Sequence, residues 1–508
     1  MNIKTMLGVN AGVSLVTQLT KLLLQFLIQT AFVRTLGVEY LGANGLFTNV
    51  LLFLSFAELG IGSSFSFILY KPIIDKNFDE INAIMTLFKR VYNFIGLVIL
   101  ILGSVITYFI PFLTNSDSSV EDIRLLFFLY LLSSVVSYFF TYYRTMFIAN
   151  QQSYVDSLNQ LIFLIIKSIL QLVALIVFKS YVIFLVAQII TNILSNLSIT
   201  IKAKKKFTYL QLGTTKKIKA ATKKKLMENV VGSISSKIGA VVVNGTDNIL
   251  ISKFVGLANV GFYSNYAIVV TGLTSLMTQV INGITASLGH LNITQQDNTE
   301  ERLSVFNTYT VVTAAVVAFM GNMMQWMFEP FIRLWLGHTY LLPDFVVEVI
   351  VVNFVFAQFR PAQQMIAAYG LFWGYRYKSI VEALVNLVGS LLLVNFTQLG
   401  IAGVLLGTII GNVIVNSWWD VRILFTGAFP GIRWIKYVAQ YWVTVLNILL
   451  ILIINKVTMI LIGTWLGSIP FIPVLLIAFV MSMLTILVGF SWNRENTALV
   501  TSVVKKFR

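Results

Sequence analysis

Residues 34–42 read Arg-Thr-Leu-Gly-Val-Glu-Tyr-Leu-Gly, and residues 253–261 read Lys-Phe-Val-Gly-Leu-Ala-Asn-Val-Gly. In each stretch a cation (Arg34, Lys253) precedes a first glycine by three residues, and an aliphatic-glycine pair returns after three more. From Gly37 to Gly256 the separation is 219 residues. Each copy lies between two long apolar runs, and a polar, aromatic-containing stretch follows the second glycine. A short motif recurring at the same place in a pattern of runs reads as an internal duplication.

The surrounding composition says what kind of runs these are. Of 508 residues, 57% are apolar and 11% charged, against roughly 25% charged in an ordinary globular domain. A helix needs about 20 apolar residues to cross about 30 Å of hydrocarbon. Fourteen stretches qualify, near residues 9–33, 41–69, 91–113, 124–147, 156–178, 181–201, 228–252, 257–289, 304–328, 345–369, 377–396, 400–424, 434–455 and 470–491. The chain therefore reads as an all-α polytopic membrane protein. Its first helix is expected to be retained, because the N-terminus shows no small-residue cleavage pattern. There is no cysteine and there are two histidines, which excludes disulfide scaffolds, Cys-based zinc sites and thiol chemistry.

Lys and Arg collect in cytoplasmic loops. With the N-terminus inside, the inner loops hold 26 of the 36 Lys and Arg, the outer loops 6, and the spans 4. Both termini are then cytoplasmic. The seventh stretch, interrupted by Lys237, Asn244 and Asp247, must be a span for this bias to hold. A shift of six spans preserves orientation, so the duplication is a parallel repeat of two six-helix lobes with two extra C-terminal helices. The expected organisation is an N-lobe at 1–201, a basic linker at 202–227, a C-lobe at 228–425 and the last two helices with a tail at 426–508. The linker carries ten Lys and no acid between Lys202 and Lys225, suited to adhesion to anionic lipid.

Two similar bundles suit alternating access, so a transporter is the leading class. An ionisable side chain inside a span normally faces a bundle interior or a watery cavity. The embedded cations are Lys21, Lys167, Lys237 and Arg360, and the acids expected at comparable depth are Glu58 and Asp247. Gln18, Lys21 and Gln25 lie on one helical face with Gln29. Lys237 lies in the span that repeats the first. A net-positive cleft results, with Lys21, Lys237, Arg360, Lys167, Gln18 and Gln25 as candidate substrate-binding residues and Glu58 and Asp247 as counter-ions or coupling groups. Cations would pair with phosphate, and amides would bond sugar hydroxyls. A lipid-linked diphosphate sugar fits that chemistry better than a cationic drug, which calls for acids. No phosphate-binding Gly-Lys-Ser loop or metal-ligand cluster is present, so no enzyme, metal or cofactor is expected.

Several segments carry a resemblance: Arg34 to Gly42, Glu58-Leu-Gly-Ile-Gly, Arg144 to Tyr154, Asp247 to Gly256 with Val260-Gly-Phe-Tyr, and Leu399 to Thr408. In this order they resemble the polysaccharide transporter family, Wzx-type flippases of the MOP superfamily that also holds lipid II flippases and MATE exporters. The resemblance implies a MATE/MurJ-like two-lobed helical fold. It also implies transfer of undecaprenyl-diphosphate-linked oligosaccharide repeat units from the inner to the outer leaflet of the cell membrane, for capsule or exopolysaccharide assembly. Cationic cavity residues would hold the diphosphate, and an H+ or Na+ gradient could drive the cycle beside a polymerase and glycosyltransferases. Fourteen spans match the lipid II flippases, while many Wzx-type members have twelve. A lipid II flippase, a MATE-like cation or drug antiporter and a non-transporting scaffold for a polysaccharide synthase remain alternatives.

Overall fold

A computed structural model of the chain describes residues 3–58, 61–114, 120–213, 218–219, 222–223, 226–227, 230, 245–294, 298–369, 371, 374–466 and 471–491. Among the described residues every regular element is a helix. Two compact units meet at Ser264, Met1–Ser264 and Asn265–Arg508.

The first unit holds α1 (Ile3–Leu36), α2 (Val38–Leu54), α3 (Ile61–Ile74), α4 (Phe78–Phe109), α5 (Ile123–Tyr138), α6 (Tyr142–Ala149), α7 (Ser153–Ile176), α8 (Tyr181–Lys206) and α9 (residues 245–250). A π-turn, Ile251–Val255, extends α9, and α10 (Leu257–Thr294) begins here and runs on into the second unit. The second unit continues with α11 (Thr299–Trp335), α12 (Asp344–Gln358), α13 (Pro361–Tyr369), α14 (Tyr375–Phe396), α15 (Ile401–Gly411), α16 (Ser417–Ala428), α17 (Trp434–Leu466) and α18 (Phe471–Ser491). Helices occupy the expected places of spans one to six and eight to fourteen. Most of the seventh, including Lys237, lies outside the described residues. Among the described residues nine helices are long and apolar enough to cross a membrane, ten with the bent pair α5 and α6.

Several spans are broken. The second is split into α2 and α3 by a 3₁₀ turn, Ser55–Glu58. The fourth bends by 45° between α5 and α6, and the tenth loses helical form at Phe359 and Arg360, between α12 and α13. Breaks in spans persist where side chains, water or protein satisfy the freed backbone groups.

The duplicated motif has a structural meaning in both copies. Gly37 (φ 91°) and Gly256 (φ 117°) each stop one helix and start the next in a backbone region that disfavours any side chain. Gly42 and Gly261 then let two backbones touch. A Cβ on Gly42 would collide with the carbonyl oxygen of Leu257, and a Cβ on Gly261 with that of Val38. A Cβ on Gly45 would meet Ser264 Oγ at 3.1 Å. Val38 with Leu257, Gly42 with Gly261 and Gly45 with Ser264 all stand 219 positions apart, so the contact between the starts of α2 and α10 is symmetric within the first unit. A second repeated device caps the span that follows in each copy. Asn77 accepts from Glu80 N and donates to Glu80 Oε2 (both 3.1 Å) at the start of α4, and Asn298 does the same with Glu301 at the start of α11.

In the second unit α15 carries Gly403, Gly407 and Gly411 at four-residue spacing, the small-residue pattern that lets membrane helices approach. It packs on α14, where a Cβ on Gly407 would strike Ser390 and Ser390 Oγ donates to Val404 O at 2.9 Å. An aromatic cluster including Phe306, Phe425, Phe429 and Tyr437 ties α11, α16 and α17, with Phe425 stacked on Tyr437 at 4.0 Å. Outward faces are apolar: Ile380, Leu384, Val388, Leu392 and Phe396 form an exposed stripe along α14, as acyl chains permit and water would penalise.

Gly42→Ala is expected to lower thermal stability in detergent by about 1–3 kcal/mol, the usual cost of overpacking, read by a thermal shift on size-exclusion fluorescence. Gly12→Ala, whose new methyl meets nothing within 4 Å, should leave the melt in place. Equal melts for both variants would show that the α2–α10 contact carries no weight.

Candidate functional site

The first unit encloses a polar cavity of about 330 Å³ bounded by α1, α5, α6, α7 and α8. Its wall includes Lys21 from α1, Arg144 from α6, Lys167 from α7 and Asn192 and Asn196 from α8. Among the described residues three cations and no carboxylate line it. The helical period explains the convergence. On α1, Thr17 and Lys21 are one turn apart and both reach the cavity, while the side chains of Leu19, Leu23 and Leu27 are exposed on α1's outer surface. On α7, Gln160, Leu164 and Lys167 share a face by the same arithmetic.

The three cations differ in their surroundings. Arg144 is locked: it pairs with Asp156 and donates to Ser195 Oγ (2.9 Å) and Asn196 Oδ1 (3.0 Å). Asp156 in turn accepts from Gln160 (2.8 Å), and Ser195 donates to Asn159 (3.1 Å). This web joins α6, α7 and α8 and neutralises one charge. Lys167 lies in the field of Lys21, and neither lysine forms an ion pair among the described residues. Two ammonium groups without an acidic partner among the described residues thus face one polar space, the usual setting of an ionisable side chain on a span.

The other candidates fall elsewhere. Gln18 and Gln25 stay on α1 but are not among the cavity-lining side chains. Gln171, one turn from Lys167 on α7, is buried and donates to Gln188 (3.1 Å). Glu58 sits in the 3₁₀ break between α2 and α3, accepts a hydrogen bond from buried Tyr92 (3.2 Å) and lies beside Tyr138. Asp247 is half-buried on α9 beside Tyr263.

Arg360, in the break between α12 and α13, belongs to a different constellation. Its guanidinium donates to Asp420 Oδ2 (2.9 Å) and lies 3.6 Å from Glu382 Oε1. Lys378, 1% exposed, bridges the same acids at 3.0 and 3.1 Å. Asn416, on the π-turn Asn412–Asn416 before α16, donates to Glu382 at 2.7 Å. Two cations and two acids close a neutral ring over three successive spans. The expectation that Glu58 and Asp247 are the acids at membrane depth is thus incomplete: Asp156, Glu382 and Asp420 are also buried or nearly so. Hydropathy placed Lys378 in a loop because it stands at the very start of span eleven. Asp156 and Asp420 likewise sit near expected span ends, where a charge draws no notice. The signal that could have found them is their helical spacing, Lys378 to Glu382 and Asn416 to Asp420, each one turn apart.

A further polar cluster joins α11, α12 and α17. Lys456 reaches Asp344 (2.6 Å) and Glu348 (2.8 Å), Gln325 donates to Glu348 (2.7 Å), and Asn455 donates to Gln325 (2.9 Å). It adjoins a cavity of about 220 Å³ lined by Glu329, Arg333 and His338.

No family model and no curated protein matches the chain. Solved structures do. "Lipid II flippase MurJ, inward closed conformation" is similar with a TM-score of 0.65 and 17% identity, over 94% of this chain and 97% of the other. An inward-facing "multidrug resistance MATE family transporter of the MOP superfamily" matches with a TM-score of 0.63 and 16% identity, over 82% of this chain and 99% of the other. A "MOP superfamily transporter from Pyrococcus furiosus", described by the "reverse polarity" of its binding pocket, matches with a TM-score of 0.56 and 15% identity, over 82% and 96%. The fold is therefore that of MATE and MurJ transporters, a polytopic helical membrane protein.

Removing one member of a buried charge network costs about 3–5 kcal/mol, because its partner is left uncompensated. Asp420→Asn is expected to lower the melting temperature strongly, and Asp420→Asn with Lys378→Gln should recover most of the loss. No recovery in the double variant would refute the neutral-ring reading.

Proposed function

We propose that this protein is a MOP-type transporter that moves an undecaprenyl-diphosphate-linked oligosaccharide from the inner to the outer leaflet of the cell membrane. The observation that supports this reading is the cavity of the first unit, where among the described residues Lys21 and Lys167 lack acidic partners and the wall holds no carboxylate. A diphosphate carries charge that hydrocarbon rejects, and two ammonium groups with neighbouring amide and hydroxyl donors can replace its hydration. Gln160, Asn192 and Asn196 supply groups that sugar hydroxyls can bond. The prenyl tail can stay among the acyl chains that the exposed apolar helix faces already meet. A cationic cargo would need acids where this cavity presents cations.

A second reading, transfer of lipid II, is favoured by the likeness to the lipid II flippase over 94% of the chain. Both cargoes share the diphosphate, so the lysines serve either, and the head group separates them. Lys237 is proposed to add a further cation toward the cargo, with Gln18 and Gln25 lining the approach along α1, while Arg360, matched by Glu382 and Asp420, is assigned to holding the second unit together. Glu58 and Asp247 are proposed as coupling groups or counter-ions. Both termini are proposed to be cytoplasmic.

In proteoliposomes carrying a fluorescent diphosphate-linked sugar lipid, Lys21→Gln and Lys167→Gln should each slow leaflet transfer at least tenfold, about 1.4 kcal/mol of lost interaction, with protein level and melt unchanged. Undiminished transfer by both variants sinks the anionic-lipid reading, and transfer of lipid II in preference to capsule-type lipids selects the second cargo. Because the chain lacks cysteine, single cysteines report sidedness directly. In right-side-out vesicles Arg333→Cys should label with an impermeant maleimide and Lys76→Cys should not; the reverse pattern would invert the topology.

A further inference from the structure

The expected linker is not a free tether where it leaves α8. Phe207 is buried and packs on Phe147 (5.2 Å). Tyr209 stacks against Phe78 (4.4 Å) at the start of α4. Asn82 then clamps the backbone from both sides, donating to Tyr209 O (3.0 Å) and accepting from Gln211 N (2.9 Å). Gly213 N donates to Thr86 Oγ1 (3.1 Å). Farther on, Thr222 donates to Glu80 (2.9 Å) and Lys219 pairs with it (3.1 Å). Residues 207–213 form a strap stitched along the first turns of α4.

Helix lengths place this strap relative to the membrane. From Tyr181 to Ile201 α8 carries no charge and spans roughly 30 Å at 1.5 Å per residue, so Lys202, Lys204, Lys205 and Lys206 emerge at headgroup depth. The part of α4 before its apolar run, residues 78–90, projects about 20 Å beyond it, and the strap lies on that projection. Lys204, Lys205, Lys206, Lys219 and Lys223 are exposed, as are Lys71 and Lys76 between α3 and α4. Among the described residues the acids at this end are Asp75, Asp79 and Glu80, and Glu80 is occupied by Lys219 and Thr222. Exposed Ile201, Phe78 and Ile74 stand among the cations, apolar groups that suit the boundary between headgroups and acyl chains.

We propose that this end of the first unit, formed by the last turn of α8, the strap and the projecting start of α4, is a binding surface for anionic phospholipid headgroups. It is separate from the cavity and does not depend on the cargo proposed above. The strap fixes cations that a free linker would disperse, and each Lys close to an anionic surface adds attraction. A soluble acidic partner fits less well, because the lysines of α8 stand at headgroup depth and are interleaved with apolar side chains.

The test is lipid retention by the full-length protein. Protein reconstituted in phosphatidylcholine with phosphatidylglycerol, then extracted mildly, is read by native mass spectrometry. Wild type should retain phosphatidylglycerol several-fold above its bulk fraction, and high salt during extraction should reduce the enrichment. Lys204→Gln/Lys205→Gln/Lys206→Gln should abolish it, and Lys179→Gln, at the other end of α8, should not. Asn82→Ala, which keeps every lysine but releases the strap, should reduce it at least twofold. Retention at the bulk ratio in wild type, or full retention by the triple variant or by Asn82→Ala, would overturn the proposal. Should the triple variant not fold, Lys219→Gln/Lys223→Gln is read in its place, with a loss of enrichment expected and full retention overturning the surface. Displacement of phosphatidylglycerol by a short-chain prenyl diphosphate would instead assign the surface to cargo and also overturn it. Failure of the cavity variants in leaflet transfer leaves this retention pattern unaffected, so the two readings fail separately.

Discussion

An ionised side chain at membrane depth has few tolerable environments: an opposite charge with hydrogen bonds, a path to the headgroups, or a space that water can enter. The charges on the spans and at their ends sort by that constraint. Arg360, Lys378, Glu382 and Asp420 take the first, closed into a ring with Asn416 as an added donor. Lys202 to Lys206 take the second, at the end of α8. Lys21 and Lys167 have neither among the described residues, and the polar cavity they line is the third. The absence of an acid beside them is therefore informative in a way that the presence of a lysine alone is not.

The fold was largely legible because the bilayer imposes one rule on every span, and apolar length reports it. The repeat was legible from nine residues, since the geometry at Gly37 and Gly42 needs glycine and leaves a mark in sequence wherever it recurs. The partnering of charges was not. Lys378 stands second in an apolar run but its ammonium lies inside a bundle, because a long side chain at the first turn of α14 can reach inward to Glu382 and Asp420. Hydropathy averages over a window and assigns such a residue to the loop. Gln18 and Gln25 show the converse error: a shared helical face says that residues look the same way, not that each reaches the cavity that Lys21 reaches.

The repeat also shows in chemistry that the motif alone did not announce. In the first unit the fourth span bends, and Arg144 just past the bend ties to Asp156 on the fifth span and to Ser195 and Asn196 on the sixth. In the second unit the tenth span breaks, and Arg360 at the break ties to Glu382 on the eleventh and Asp420 on the twelfth. Both units thus place an arginine at an interrupted span, a carboxylate on the next helix and a polar partner on the one after. A break exposes backbone groups and weakens a helix locally, and an arginine with several fixed donors is suited to hold three helix ends around it.

The two clasps differ by the charges that complete them, and the difference bears on where a ligand can bind. In the second unit Lys378 and Asp420 enter the ring itself, so every charge is matched and the site is packed, with Lys378 1% exposed. In the first unit Asp156 alone matches Arg144, the other groups on it are the hydroxyl of Ser195 and the amide of Asn196, and the neighbouring lysines have no acidic partner among the described residues across an open space. A matched ring resists an incoming anion, because binding would strand an acid already paired. An unmatched pair of cations gains a partner when the anion arrives, and the clasp beside it, already neutral, does not compete. Equivalent scaffolds have thus been filled with opposite consequences, and on the proposed function the half that leaves its cations unanswered among the described residues is the one assigned to the diphosphate.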